Sequence, residues 1–154
     1  MSQEFEQRLA ELGLSLPDAP APAANYVPYV VVENTVYVSG QISTNAEGLI
    51  QGKVGADLTV EEGAEAARTC ALALLAQAKK ACGGDISRLK RVVKLTGFVN
   101  STPEFGDQPK VVNGASDLFV ALLGDAGRHA RSAVSAGALP FNVAVEIEGI
   151  FEIE

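Results

Sequence analysis

The chain has 154 residues, with 12 basic side chains against 19 acidic ones and a net charge of −7. A chain of about 150 residues buries roughly 68–70% of its unfolded surface, so one domain can fold here without disulfides or a structural metal. At 47% hydrophobic and 20% charged, the sequence is too apolar for disorder and too interrupted for a membrane span, and its acidity with no Lys/Arg cluster disfavours nucleic acid.

The acidic start, Met1 to Arg8, lacks the apolar stretch of a secretory signal, so the expected location is the cytoplasm, away from membranes. Phe5, Leu9 and Leu12 have helical spacing, which predicts a short helix over residues 2–12 ending at Gly13. Pro17, Pro20, Pro22 and Pro28 then hold the chain extended and remove backbone donors. Residues 1–25 are therefore expected to be a helix and a Pro/Ala-rich arm, and residues 26–154 the main domain. Residues 26–32 and 36–42, rich in β-branched and aromatic side chains, predict a hairpin across Glu33-Asn34-Thr35, with Ser39-Gly40-Gln41 closing its second strand. Residues 43–58 read as a loop whose glycines are too scattered to cradle phosphate.

Thr59-Val-Glu-Glu62 fits a capping box, and Ala67, Ala71, Leu74, Leu75, Ala78 and Cys82 follow at helical spacing up to Gly83-Gly84. Residues 90–99 predict a strand. A second helix is expected from Glu104 or Gln108 to Gly124, followed by strands over 131–139 and 143–153. The order β-β-α-β-α-β-β with two amphipathic helices predicts an α+β domain, a single mixed sheet with both helices on one face.

On the last strand Val143, Val145, Ile147, Phe151 and Ile153 share one side and must meet the helices, so Glu146, Glu148 and Glu152 point away. A solvated sheet face accounts for such carboxylates, and a polar cleft is the competing reading. Arg131 opens the preceding strand. If the two strands pair, its guanidinium could approach Glu146 or Glu148, either as an ion pair or as a bidentate receptor for a carboxylate. Cys70, Cys82 and the single His129 fall short of a zinc-ligand set; the cysteines read as small core residues and His129 as an exposed loop residue.

The stretches Val27-Pro-Tyr-Val30, Val38-Ser-Gly-Gln-Ile42, the Asn113-bearing helix, Ala130-Arg-Ser-Ala-Val134, Leu139-Pro140 and Val145-Glu-Ile-Glu148 occur in the order of the reactive intermediate deaminase (Rid, YjgF) family, which residues 26–154 resemble. The resemblance implies a chorismate-mutase-like fold and a homotrimer with clefts between subunits. It also implies hydrolysis of enamines and imines of 2-oxo acids, such as 2-aminoacrylate and 2-iminopropionate, to the 2-oxo acid and ammonia. Arg131 matches the arginine that holds the substrate carboxylate, and Glu146 the acid associated with the attacking water. Tyr29, Ser39, Gly40 and Asn113 match cleft-lining positions. Ala133 stands where the family commonly has cysteine, retaining only a backbone contribution, and Val27 stands where glycine often precedes Pro-Tyr. No cofactor or metal is expected, because a protonated imine is already electrophilic and needs only a held carboxylate, a placed water and charge stabilisation. The alternative is a trimeric, regulatory binder of small carboxylates. Ribonuclease, an older label of the family, sits poorly with the acidic composition and the lack of a His/Lys acid–base pair.

Overall fold

In a computed structural model that describes residues 2–22 and 24–154, the longest helix starts where the capping box predicts. Helix α2 (Val60–Ala81) opens with the Thr59 hydroxyl accepting from the Glu62 amide at 3.1 Å, while the Glu62 carboxylate accepts from the Thr59 amide at 3.0 Å. Its far end closes on Gly83 at φ 69°, with the Gly84 amide donating to the Lys79 carbonyl. Met1 and Ala23, part of the expected helix-and-arm segment, lie outside the described residues.

Helix α1 (Ser2–Glu11) docks by burying Phe5 and Leu9, and Arg8 Nη1 donates to the Leu122 carbonyl at 3.1 Å. The hairpin is β1 (Tyr29–Val32) and β2 (Thr35–Ile42), turning at Glu33 with φ 54°. The stretch expected to be a loop contains a small hairpin, β3 (Thr44–Asn45) with β4 (Gly48–Leu49). It is too short to show a period of two in the sequence. After α2 come β5 (Leu89–Asn100), α3 (Gln108–Leu123), β6 (Ala130–Ala136) and β7 (Val145–Ile153).

The main sheet runs β1-β2-β7-β5-β6, with β7 antiparallel to both β2 and β5, and β6 parallel to β5. The parallel pair is the product of the β5-α3-β6 crossover. Strand β7 takes the centre because Val145, Ile147 and Phe151 are all fully buried against α2 and α3. Helices α2 and α3 cover one face, as expected. The other face carries rows fixed by the register: Val30, Tyr37, Ile150, Lys94 and Ala130 in one, Ile42, Glu146, Phe98 and Val134 in another. Among the described residues no helix is long and apolar enough to cross a membrane.

The two long helices meet at Gly114, where a Cβ would run into the Ala64 backbone, 2.7 Å from its carbonyl carbon and 2.9 Å from its Cα. Backbone cannot yield as a side-chain tip does. Gly114→Ala should therefore destabilise the fold by about 1–3 kcal/mol, the usual cost of overpacking, whereas Gly106→Ala, whose Cβ meets nothing, should be near neutral in the same urea titration.

Candidate functional site

Strand β2 departs from regular pairing at Ser39-Gly40. Val38 lies opposite Gly149 and Gln41 opposite Ile147, so β2 places one residue more than β7 across this step. Such bulges bend a strand and re-aim its neighbours. Here the bend brings Gly40 against Glu146, whose carboxylate would collide with any Cβ at that position. A side chain at position 40 would therefore push the Glu146 carboxylate out of its present place. Burial, followed by repulsion from Glu148, raises the Glu146 carboxyl above the ordinary carboxylate range. A carboxyl held this way binds a proton more readily than an exposed one does.

Glu146 lies at the wall of a cavity of about 420 Å³ shared with Ser39, Gly40, Gln41, Pro140 and Phe141. The lip of this cavity is held from beneath. Gln51 Nε2 donates to the Phe141 carbonyl at 2.7 Å, the Gly52 amide donates to the Asn142 carbonyl at 2.9 Å, and Lys53 Nζ donates to the Gly137 carbonyl at 2.6 Å. Phe141 and Asn142 both sit at positive φ, 58° and 59°, a conformation that costs energy in residues with a Cβ and persists only where the surroundings impose it.

Arg131 belongs to a second cluster. Its Nη1 donates to Asn113 Oδ1 at 2.8 Å and Ser116 Oγ at 2.9 Å, and its Nη2 donates to the Pro109 carbonyl at 3.1 Å. A guanidinium has five N–H groups. Those three bonds leave Nε–H and one Nη2–H without a partner among the described residues, enough for a bidentate carboxylate. Beyond Ser116 stands His129, with Nε2 2.9 Å from Ser116 Oγ and Nδ1 2.6 Å from the Gly127 carbonyl. A carbonyl only accepts, so Nδ1 carries the proton and Nε2 accepts from the serine hydroxyl, which in turn accepts from Arg131. The chain of donors runs Arg131 to Ser116 to His129 to Gly127. Burial, then the Arg131 charge, lowers the His129 pKa from its ordinary value, although the Gly127 carbonyl opposes this.

The geometry corrects one expectation outright. Strand β6 pairs with β5, so Arg131 does not approach Glu146 or Glu148 within the chain. Arg131 lies opposite Leu95, which faces the helices, whereas Glu146 lies opposite Phe98 on the uncovered face. The sheet stands between them, and strand spacing and rise separate their Cα positions by on the order of 14 Å. The reason is that β7, with a wholly apolar side, displaces β6 to the edge. Asn113 joins Arg131, while Ser39 and Gly40 join Glu146. Tyr29 packs against the core, and Tyr26 lines the cavity instead. Ala133 is half-buried against the core. Ser39 Oγ donates to the Val27 carbonyl at 2.8 Å and so ties down the segment that leads into β1.

Ser116 and His129 are contacts the sequence reading missed. His129 is not an exposed loop residue, since both ring nitrogens are engaged and Phe119 packs edge-on at 5.9 Å. The spacing held a signal: residue 129 stands two before 131 at the entrance to β6, and 113 and 116 share a helix face. Cys70 and Cys82 are buried free thiols, and burial drives the Cys70 pKa sharply up, so both act as core residues.

Residues 6–152 match the family described as "YjgF/chorismate mutase-like, putative endoribonuclease". Protein TCP17 of Trypanosoma cruzi is 50% identical over 94% of this chain and 91% of its own. A 2-iminobutanoate/2-iminopropanoate deaminase of Dermatophagoides farinae is 32% identical over 92% and 95%. The crystal structure of Atu1372, a protein of unknown function from Agrobacterium tumefaciens, superposes with TM-score 0.92 at 48% identity over 99% of this chain and 96% of that one.

The donor chain makes a prediction about the single histidine. Its imidazole NMR signal should titrate below 6.5, and Arg131→Ala should move the midpoint upward by removing the cationic neighbour. A lowered folded-state pKa means that the unfolded chain binds more protons. This contribution to stability is therefore full above 6.5 and lost as pH falls through the folded-state midpoint. A midpoint indifferent to Arg131→Ala would remove the coupling between the two residues.

Proposed function

The chain belongs to the YjgF/chorismate mutase-like (Rid) family, and from that premise we propose that it is a homotrimeric deaminase hydrolysing enamine and imine derivatives of 2-oxo acids. The observation that carries this reading is the guanidinium of Arg131, fixed by three acceptors on α3 with two N–H groups left for a carboxylate. Glu146 supplies the complementary group, a half-buried carboxyl with a raised pKa in a cavity. Because the two lie on opposite faces of one sheet, a complete site takes Arg131 from one copy and Glu146 from the next. Edge strand β6 and the uncovered face, with exposed Val30, Val32, Tyr37 and Val134, offer the surfaces for such an assembly.

In this site Arg131 orients the substrate by its carboxylate, and Glu146 holds a water near the imine carbon. The water oxygen bonds to that carbon as Glu146 takes its proton and the C=N electron pair moves to nitrogen. The nitrogen of the protonated imine thereby becomes an amine; Glu146 returns the proton to it, and as the C–N bond breaks the carboxylate takes the remaining hydroxyl proton, which it later loses to solvent, while the C=O bond forms and ammonia leaves. A carboxyl whose pKa is raised by burial and by Glu148 is a better proton acceptor than an exposed one, and it sits where it can serve these steps.

Light scattering should give three times the chain mass; a concentration-independent monomer would dismantle the shared site. Glu146→Gln keeps the shape but cannot accept a proton, so imine hydrolysis should fall by about 10²–10⁴-fold while a 2-oxo acid still binds. Undiminished hydrolysis in that variant would place the base elsewhere. Arg131→Ala should weaken 2-oxo acid binding, since hydrogen bonds to charged groups contribute roughly 1.5–3 kcal/mol, and lysine should restore little because it lacks the planar fork. Ligand binding without turnover in the unaltered protein would favour the regulatory binder.

A further inference from the structure

The Glu146 cavity is larger and more apolar than a three-carbon imine needs. Its walls include Pro20, Pro22, Tyr26, Ile42, Pro140 and Phe141, and its volume of about 420 Å³ falls in the range of pockets that enclose drug-sized ligands, about 300–1,000 Å³. The polar groups on its wall are mostly committed elsewhere. Ser39 Oγ donates to the Val27 carbonyl at 2.8 Å, and Gln41 Nε2 to the Ser39 carbonyl at 2.9 Å. Glu146 accepts no hydrogen bond from another side chain or amide among the described residues, which leaves it as the carboxylate facing the space.

The arm that forms one side of this cavity is anchored at three levels. Phe5 and Leu9 of α1 are buried in the core, Leu14 and Leu16 pack against it, and Gln77 grips the arm itself. Gln77 is fully buried within α2, and its Nε2 donates to the Pro20 carbonyl at 2.8 Å. This bond satisfies the buried Nε2 donor, while Oε1 of the same amide finds no partner among the described residues, so Pro20 is the contact that compensates the buried amide. Prolines suit the wall chemically as well, because Pro20 and Pro22 present ring carbons and have no N–H that would demand water.

We propose that this cavity selects substrates with a large apolar side chain, so that the imines handled best are those of branched aliphatic or aromatic 2-oxo acids. This rests on the deaminase reading and specifies its substrate class. The carboxylate end is held by Arg131 of the neighbouring copy, the imine carbon faces Glu146, and the side chain lies between the arm and the Pro140-Phe141 lip. Each added methylene in a hydrophobic pocket is worth about 10-fold or more in kcat/KM. A methyl side chain would leave the proline and aromatic walls wet.

The test compares 2-oxo acid release from imines generated in situ by an amino-acid oxidase from alanine, leucine and phenylalanine. In parallel, calorimetry on the same full-length protein compares pyruvate with 4-methyl-2-oxopentanoate and phenylpyruvate. The leucine- or phenylalanine-derived imine should exceed the alanine-derived one at least tenfold in kcat/KM, and the larger 2-oxo acid should bind more tightly by a similar factor. Ala21→Trp, at an exposed position on the cavity wall, fills the space without touching the core and should cut that preference by about tenfold. Equal handling of small and large compounds, or a preference unmoved by Ala21→Trp, overturns the inference while leaving the deaminase standing. Tighter binding of the larger 2-oxo acids with no imine turned over refutes the deaminase and keeps the pocket's selectivity. Failure to bind or turn over any of the compounds refutes both.

Discussion

The burial of β7 between β2 and β5 is the constraint on which the rest of the molecule depends. Its inner side chains Val145, Ile147 and Phe151 have no solvent exposure, and its backbone is paired on both edges. Pleating then leaves no choice for the alternate residues: Glu146 and Glu148 must project from the uncovered face. The same insertion moves β6 to the edge, where the pairing of Arg131 with Leu95 turns the guanidinium toward α3. Both halves of the proposed site are consequences of one strand's apolar side being satisfied first.

The two halves are prepared in opposite ways. Arg131 is held by acceptors, three on α3 directly and a further imidazole behind Ser116, so its charge is ordered before any ligand arrives. Pre-ordering of this kind lowers the entropic cost of binding. Glu146 is prepared by deprivation, through burial and a like-charged neighbour, with Gly40 giving it room. A carboxylate in that setting is a poor element for stability and a good one for proton transfer.

The N-terminal arm extends this logic to recognition. Helix α1 is part of the core, and Pro20 and Pro22 after it line the Glu146 cavity beside strand β2, with Pro20 held by Gln77. Rigidity matters here because a mobile wall would pay in ordering entropy much of what an apolar contact returns.

What the sequence alone determined is what local backbone geometry controls. The capping box at Thr59, the helical spacing through α2 and α3, and the alternation along β7 each depend on neighbours a few residues apart, so element order and side-chain faces were legible, as were the motifs of the Rid family around Arg131 and Glu146. Tertiary structure alone decided which strands became neighbours, since pairing of residues far apart in the chain is set by competition among apolar faces for burial. That competition sent Arg131 and Glu146 to opposite sides of the sheet, joined Ser116 and His129 to the guanidinium, and bulged β2 at Gly40. None of these follows from a local period, because each is fixed by contacts between elements that the sequence lists apart and packing brings together.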